Sequence, residues 1–203
     1  MTLAWGDLAP KDLERPARGG LERWLAALAL AIAHREDLWR PIVRHDPDLR
    51  WHTRLATLDD VEIWLLGWTH TQEVVLHDHG GSSGAFAVAE GELYEHYTEL
   101  DARGPLRTSF APAGVARGFG PGRIHHVTNR AHAHATSVHV YSPPLDAMRF
   151  YELAPDGTPN AVRVERVLPD EAEASDDVSL AAAADDRTER ARIAHPLITE
   201  IER

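Results

Sequence analysis

Leu21, Trp24, Leu25, Leu28 and Ile32 fall at i, i+3, i+4, i+7 and i+11 within residues 21–39, LERWLAALALAIAHREDLW. This spacing predicts an amphipathic helix ending before Pro41, with an apolar stripe suited to packing rather than chemistry. From about residue 49 to 167 the pattern changes to short runs rich in Val, Ile, Trp, Tyr and Thr, separated by DD, GG, GE, RGP, PAG, GPG and PP. Closely spaced short strands with such turns predict an antiparallel sandwich or small barrel. Residues 168–203 are acidic, rich in Ala and low in aromatics, and predict a helix from about 178 to 193 followed by a charged tail. The expected organisation is a helical segment over 1–48 packed on a β domain over 49–167, then an acidic, partly helical tail over 168–203.

Composition narrows the chemistry. The formal charge of -11 argues against a general nucleic-acid binder, which needs clustered Lys and Arg. Residues 155–203 alone hold twelve acids against six arginines, so the tail carries much of that charge. No run reaches the eighteen apolar residues of a membrane span, and the N-terminus lacks a basic head followed by an apolar stretch. A soluble cytoplasmic protein is therefore expected. The absence of cysteine removes disulfides, thiolate zinc sites and a cysteine nucleophile. Histidine and carboxylate remain as candidate metal ligands, and there are thirteen histidines.

The segment VVLHDHGGSSG, residues 74–84, places two of them on alternate positions. On a strand His77 and His79 share one face while Asp78 points to the other. Taken alone, the pair is either a metal-gripping face or two exposed residues. Its surroundings favour the metal. His79 is followed by four residues and Gly84, then six residues and Gly91; further on, Gly122 is followed by two residues and His125, then three residues and Asn129. The two spacings resemble the first and second motifs of the cupin superfamily, with Gly84 standing where that first motif usually has a glutamate ligand. His77, His79 and His125 then form an all-histidine set, with His126 as the competitor for His125. His132 and His134 repeat the HxH pattern without the glycine framework and are set aside. Glu92, Glu95 and Glu99, beyond the Gly91 turn, are expected in solvent.

Residues 135–144, ATSVHVYSPP, put Ser137, His139 and Tyr141 on one strand face and Val138 and Val140 on the other. The polar row is either a wetted edge or a hydrogen-bond relay beside a metal. HTR at 52–54, LHDH at 76–79, HHVTN at 125–129 and SVHVYSPPLD at 137–146, in that order, resemble the thiol dioxygenases, the bacterial cysteine dioxygenases most closely. The resemblance covers about residues 20–150.

The resemblance implies a mainly β, cupin-type, jelly-roll-like barrel that holds one Fe(II) per chain on His77, His79 and His125. It implies that Arg54 pairs with the substrate carboxylate and that Ser137, His139 and Tyr141 form an outer-sphere triad. The bond between Ser142 and Pro143 would be cis. The reaction implied joins O2 to L-cysteine to give cysteine sulfinic acid, in a protein expected to be a monomer. The animal enzymes' crosslinking cysteine is replaced here by Gly84, and their tyrosine by His52, which leaves carboxylate binding near His52 open. Two alternatives stand beside this: a dioxygenase for 3-mercaptopropionate or another small thiol, and a cupin module that holds a metal without turnover.

Overall fold

The computed structural model describes residues 15–58 and 60–167. Contacts divide the chain into Met1–Val167 and Leu168–Arg203. The second unit, with the helix expected near 178–193, lies outside the described residues. The periodic N-terminal segment forms α1 (Leu21–Ala33) and α2 (Glu36–Trp39), not one continuous helix. The break falls at His34 and Arg35, where Arg35 leaves the helical region and its guanidinium turns to the Asp37 carboxylate. Trp39 then folds back, and its indole N–H donates to the Ala33 carbonyl at 2.9 Å, satisfying a carbonyl orphaned at the helix end.

Eleven strands follow in the described residues: β1 (His52–Leu58), β2 (Val61–Trp68), β3 (Glu73–Asp78), β4 (Ser83–Glu90), β5 (Glu92–Glu99), β6 (Arg107–Pro112), β7 (Ala116–Phe119), β8 (Arg123–Thr128), β9 (Ala135–Ser142), β10 (Ala147–Leu153) and β11 (Pro159–Arg166). They form two sheets, ordered β1-β2-β9-β4-β7 and β11-β10-β3-β8-β5-β6. Every pairing is antiparallel. The predicted antiparallel, mainly β architecture with a preceding helix is thus the one observed. Among the described residues no helix is long and apolar enough to cross a membrane.

Alternation along the first sheet builds two cores. One face presents Ile63, Leu65, Ala85, Ala87, Val138 and Val140 to the α1 stripe of Trp24, Leu25, Leu28, Ala29 and Ile32. Ala85 and Ala87 keep that face low, and Gly118 brings the helix closer still: a Cβ there would lie 2.2 Å from the Glu22 carbonyl oxygen. Each fully buried Leu contributes about 1.5–3 kcal/mol by leaving water, which is how a helix without chemistry fixes the sheet behind the site. The opposite face packs Leu66, Trp68, Phe86, Val88, Phe119 and Tyr141 against Leu93, Ala111 and Val127 of the second sheet. The candidate site lies in this intersheet layer.

Candidate metal centre

His77 comes from β3 and His125 from its neighbour β8, where the two are direct cross-strand partners. His79 follows the last residue of β3. The three rings lie 4.7–4.9 Å apart by centroid, and one potential ligand atom from each falls within 4.8 Å of the others. All three side chains are buried. The register of β3 on β8 shifts between Val74 and His77, a local irregularity of the kind that re-aims side chains near sites. Asp78 points away as alternation requires, but not into water. Its carboxylate accepts the Tyr151 hydroxyl at 2.6 Å, the Arg149 guanidinium and the Gly80 N–H, which ties down the turn after His79.

Hydrogen bonds select the ring nitrogen that each histidine offers. His77 Nδ1–H donates to the Val75 carbonyl at 2.8 Å, and His125 Nδ1–H donates to Glu95 Oε1 at 2.8 Å. Both rings therefore direct an Nε2 lone pair inward. His79 Nε2 is buried with no hydrogen-bond partner. Burial, then repulsion from neighbouring histidines, holds His77 and His79 far below the ordinary imidazole pKa, so both are neutral and competent as ligands. A buried, unpartnered imidazole nitrogen converging with two others is explained by a cation, and three neutral nitrogen donors suit Fe(II), Cu, Ni or Zn. The residues fit a resident transition metal.

Sequence reasoning placed Glu95 in solvent, and the structure corrects this. On β5, Leu93 and Glu95 share the inward face, and Glu95 is 1% exposed. Burial raises its pKa, but the His125 hydrogen bond and the Arg123 charge more than offset that, leaving the carboxyl below its ordinary value and ionised. Glu99 does lie at the surface, paired with Arg123. Alternation from Leu93 was the signal available in the sequence, masked by the expectation that an acid after a turn is solvated.

Ser137, His139 and Tyr141 line the inward face of β9 as a connected row. Ser137 Oγ lies 2.9 Å from His139 Nε2, and His139 Nδ1 lies 3.2 Å from the Tyr141 hydroxyl. Trp68, missed in the sequence, sets the direction: its indole N–H donates to Ser137 Oγ at 2.9 Å. Among the described residues, the one acceptor within reach of the Ser137 proton is His139 Nε2. His139 then carries its proton on Nδ1 and donates to the phenol oxygen, so the Tyr141 proton is free to point elsewhere. Burial lowers the His139 pKa to about 3 and raises that of Tyr141, so the relay is neutral throughout. The Tyr141 ring centroid is 5.0 Å from that of His79, which puts the phenol against the histidine cluster.

Cross-strand register carries the row further. Glu62, Tyr141, Gly84 and Phe119 are successive partners across β2, β9, β4 and β7. Arg54, Trp64, His139 and Phe86 form the adjacent rung. Arg54 Nη1 donates to Glu62 Oε1 at 3.1 Å, while Glu62 Oε2 accepts the Leu145 N–H at 3.1 Å. Glu62, like Asp78 and Glu95, is a buried carboxylate, and the sequence did not reveal it. Trp64, whose buried indole N–H lacks a partner among the described residues, lies beneath the Arg54 guanidinium at 5.8 Å. His52 is exposed at the rim, its ring tilted 5.7 Å from Trp64. The Ser142–Pro143 bond is cis.

The competing histidines fall elsewhere. His126 faces away from the cluster, bonds Glu73 at 2.8 Å and stacks on His96. His132 packs on His70, and His134 on His45.

Known proteins share parts of this sequence and geometry. The profile of the family described as Cysteine dioxygenase type I matches residues 24–154. Among solved structures, a protein of Thermus thermophilus is similar at 20% identity and a TM-score of 0.45, over 51% of this chain and 92% of that one. A cupin superfamily protein of Desulfitobacterium hafniense is similar at 11% identity and a TM-score of 0.44, over 53% and 89%. A Klebsiella pneumoniae protein with a double-stranded β-helix domain gives 19% identity and a TM-score of 0.43, over 51% and 85%.

Proposed function

The chain belongs to the cysteine dioxygenase type I family of cupins, and from that premise we propose that it is an Fe(II)-dependent thiol dioxygenase converting L-cysteine and O2 to cysteine sulfinic acid. The observation that carries this reading is the convergence of His77, His79 and His125 on one buried point, with the Tyr141 phenol against it. His77, His79 and His125 would hold the metal through Nε2. Bound there, iron would supply a site for the substrate thiolate and the activation of O2, so that both oxygen atoms pass to sulfur with the thiolate as the electron source.

The chain's own residues define the rest. Three neutral imidazoles bring no negative charge, so the site favours a ligand that supplies one, as a thiolate does. Arg54 binds the substrate carboxylate through a charge-assisted pair, with Glu62 fixing the guanidinium from its buried side. The Trp64 N–H is a further donor on the same rung. Tyr141, supplied by His139 with a hydrogen bond to its oxygen, would donate a hydrogen bond from its own O–H to negative charge developing on the oxygen being transferred. The raised Tyr141 pKa keeps that proton in place. Phe86 and Phe119 close the layer around the imidazoles and exclude water.

Protein purified without a histidine tag, loaded anaerobically with Fe(II) and then given thiol and O2, tests this. L-cysteine is expected to consume O2 and yield a product heavier by two oxygen atoms, with 3-mercaptopropionate and cysteamine as weaker substrates. A clear preference for 3-mercaptopropionate would reassign the substrate. No sulfinate from any small thiol would overturn the enzyme reading.

A further inference from the structure

Two of the three candidate ligands are held by hydrogen bonds at Nδ1: His77 by the Val75 carbonyl and His125 by Glu95. His79 has no such support. Among the described residues its ring makes no hydrogen bond. It is flanked instead by two aromatic rings, stacked on Phe119 at 4.9 Å and 24° and tilted against Tyr141 at 5.0 Å and 34°. Phe119 is buried, on the edge strand β7, where it is the cross-strand partner of Gly84.

Gly84 is what allows the stack. A Cβ at that position would lie 2.6 Å from Phe119 Cε2 and Cζ and 2.9 Å from Tyr141 Cδ1. The missing side chain lets both rings close on His79 from neighbouring strands. A side chain at 84 would oblige one of the two rings to shift. What constrains this position is the space beside His79, not backbone conformation, since its φ is not in the left-handed region.

We propose that Phe119 is the positioning residue of His79: its ring fixes the imidazole plane by stacking, as Glu95 and the Val75 carbonyl fix the other two by hydrogen bonding, with Gly84 as the space that permits it. Imidazole orientation sets how well the Nε2 lone pair points at the ion, so losing the stack weakens metal binding before it affects anything else. The consequence is asymmetric: two ligands are locked by polar anchors, while the third depends on packing alone and is the one sensitive to the volume at 84 and 119.

The proposal rests on the reading of His77, His79 and His125 as metal ligands, and Co(II) titration of metal-free protein, followed by its visible ligand-field absorption, separates the two. Wild-type protein is expected to bind one Co(II) with a defined band. Phe119→Leu, which removes the ring but keeps an apolar side chain, is expected to bind about tenfold more weakly with a shifted band, while Phe119→Tyr retains wild-type affinity. Gly84→Ala adds volume instead of removing it and is expected to weaken Co(II) in the same direction. It decides the matter should Phe119→Leu fail to fold. Wild-type affinity and band in either Phe119→Leu or Gly84→Ala would overturn the proposal, as would equal losses in Phe119→Leu and Phe119→Tyr. Failure of the wild type to bind Co(II) would instead overturn the ligand reading on which it rests.

Discussion

His125 Nδ1–H donates to Glu95 Oε1 across 2.8 Å, with both side chains 1% exposed. The carboxylate fixes the tautomer that presents Nε2 and lends negative charge to a ligand set that has none. Glu95→Gln keeps the shape and a neutral acceptor but removes the charge. Metal affinity is expected to fall by about 10- to 100-fold in a chelator competition. Activity per bound metal should fall much less, and unchanged affinity would remove Glu95 from the centre's machinery.

His77→Ala and Tyr141→Phe are expected to fail differently. The first removes a ligand, so metal content and turnover should disappear together; full metal occupancy in that variant would contradict the assignment. The second removes one proton donor to developing charge, worth about 1.5–3 kcal/mol. Turnover should drop on the order of 10- to 100-fold while metal content stays near wild type. Parallel loss of both in Tyr141→Phe would mean that the phenol serves structure alone.

Which residues were legible follows from how each signals itself. His77, His79 and His125 stand in glycine-framed spacings, and Ser137, His139 and Tyr141 alternate on one strand. Local periodicity put each group on one face but left its role open; the ordered resemblance to the thiol dioxygenases singled both out, and both meet in the intersheet layer. Glu62, Trp68 and Phe119 carry no local signature, and Glu95 carries only its alternation with Leu93. Their roles arise from cross-strand register, which pairs Glu62 with Tyr141 and Gly84 with Phe119, residues far apart in the chain. The helix break at Arg35 escaped for a different reason: it depends on the Trp39 indole finding the Ala33 carbonyl, a contact that the apolar spacing does not report.

Arg54 is tied to Glu62 and lies in the same cross-strand rung as Trp64 and His139. Arg54→Gln should therefore raise KM for L-cysteine and 3-mercaptopropionate at least tenfold, the loss of a charge-assisted hydrogen bond worth about 1.5–3 kcal/mol. Cysteamine, which has no carboxylate, should be affected little. Oxygen uptake against thiol concentration provides the comparison, and an equal rise in KM for all three thiols would dissociate Arg54 from carboxylate recognition.

His139 makes folding stability depend on pH in a defined direction. Burial, followed by repulsion from His125, lowers its pKa to about 3 in the native state, against about 6.5 in an unfolded chain. Between those values the unfolded state binds the extra proton. The contribution is fully present above pH 6.5 and is lost as pH falls towards 3, at about 1.4 kcal/mol per pH unit for one proton. His96, with a native pKa of about 4, acts in the same direction over a narrower window, reduced by its partial exposure. Urea unfolding of metal-free protein from pH 7.5 to 5 isolates the His139 share when wild type is compared with His139→Gln. The variant loses the relay's hydrogen bonds and is less stable at pH 7.5, but it has no proton to gain at 139. The stability gap between the two proteins should narrow as pH falls below 6.5. A gap that stays constant to pH 5 would show that His139 is not held neutral by the fold, and a protonated ring would then have to donate from Nε2 to Ser137 as well as from Nδ1 to Tyr141.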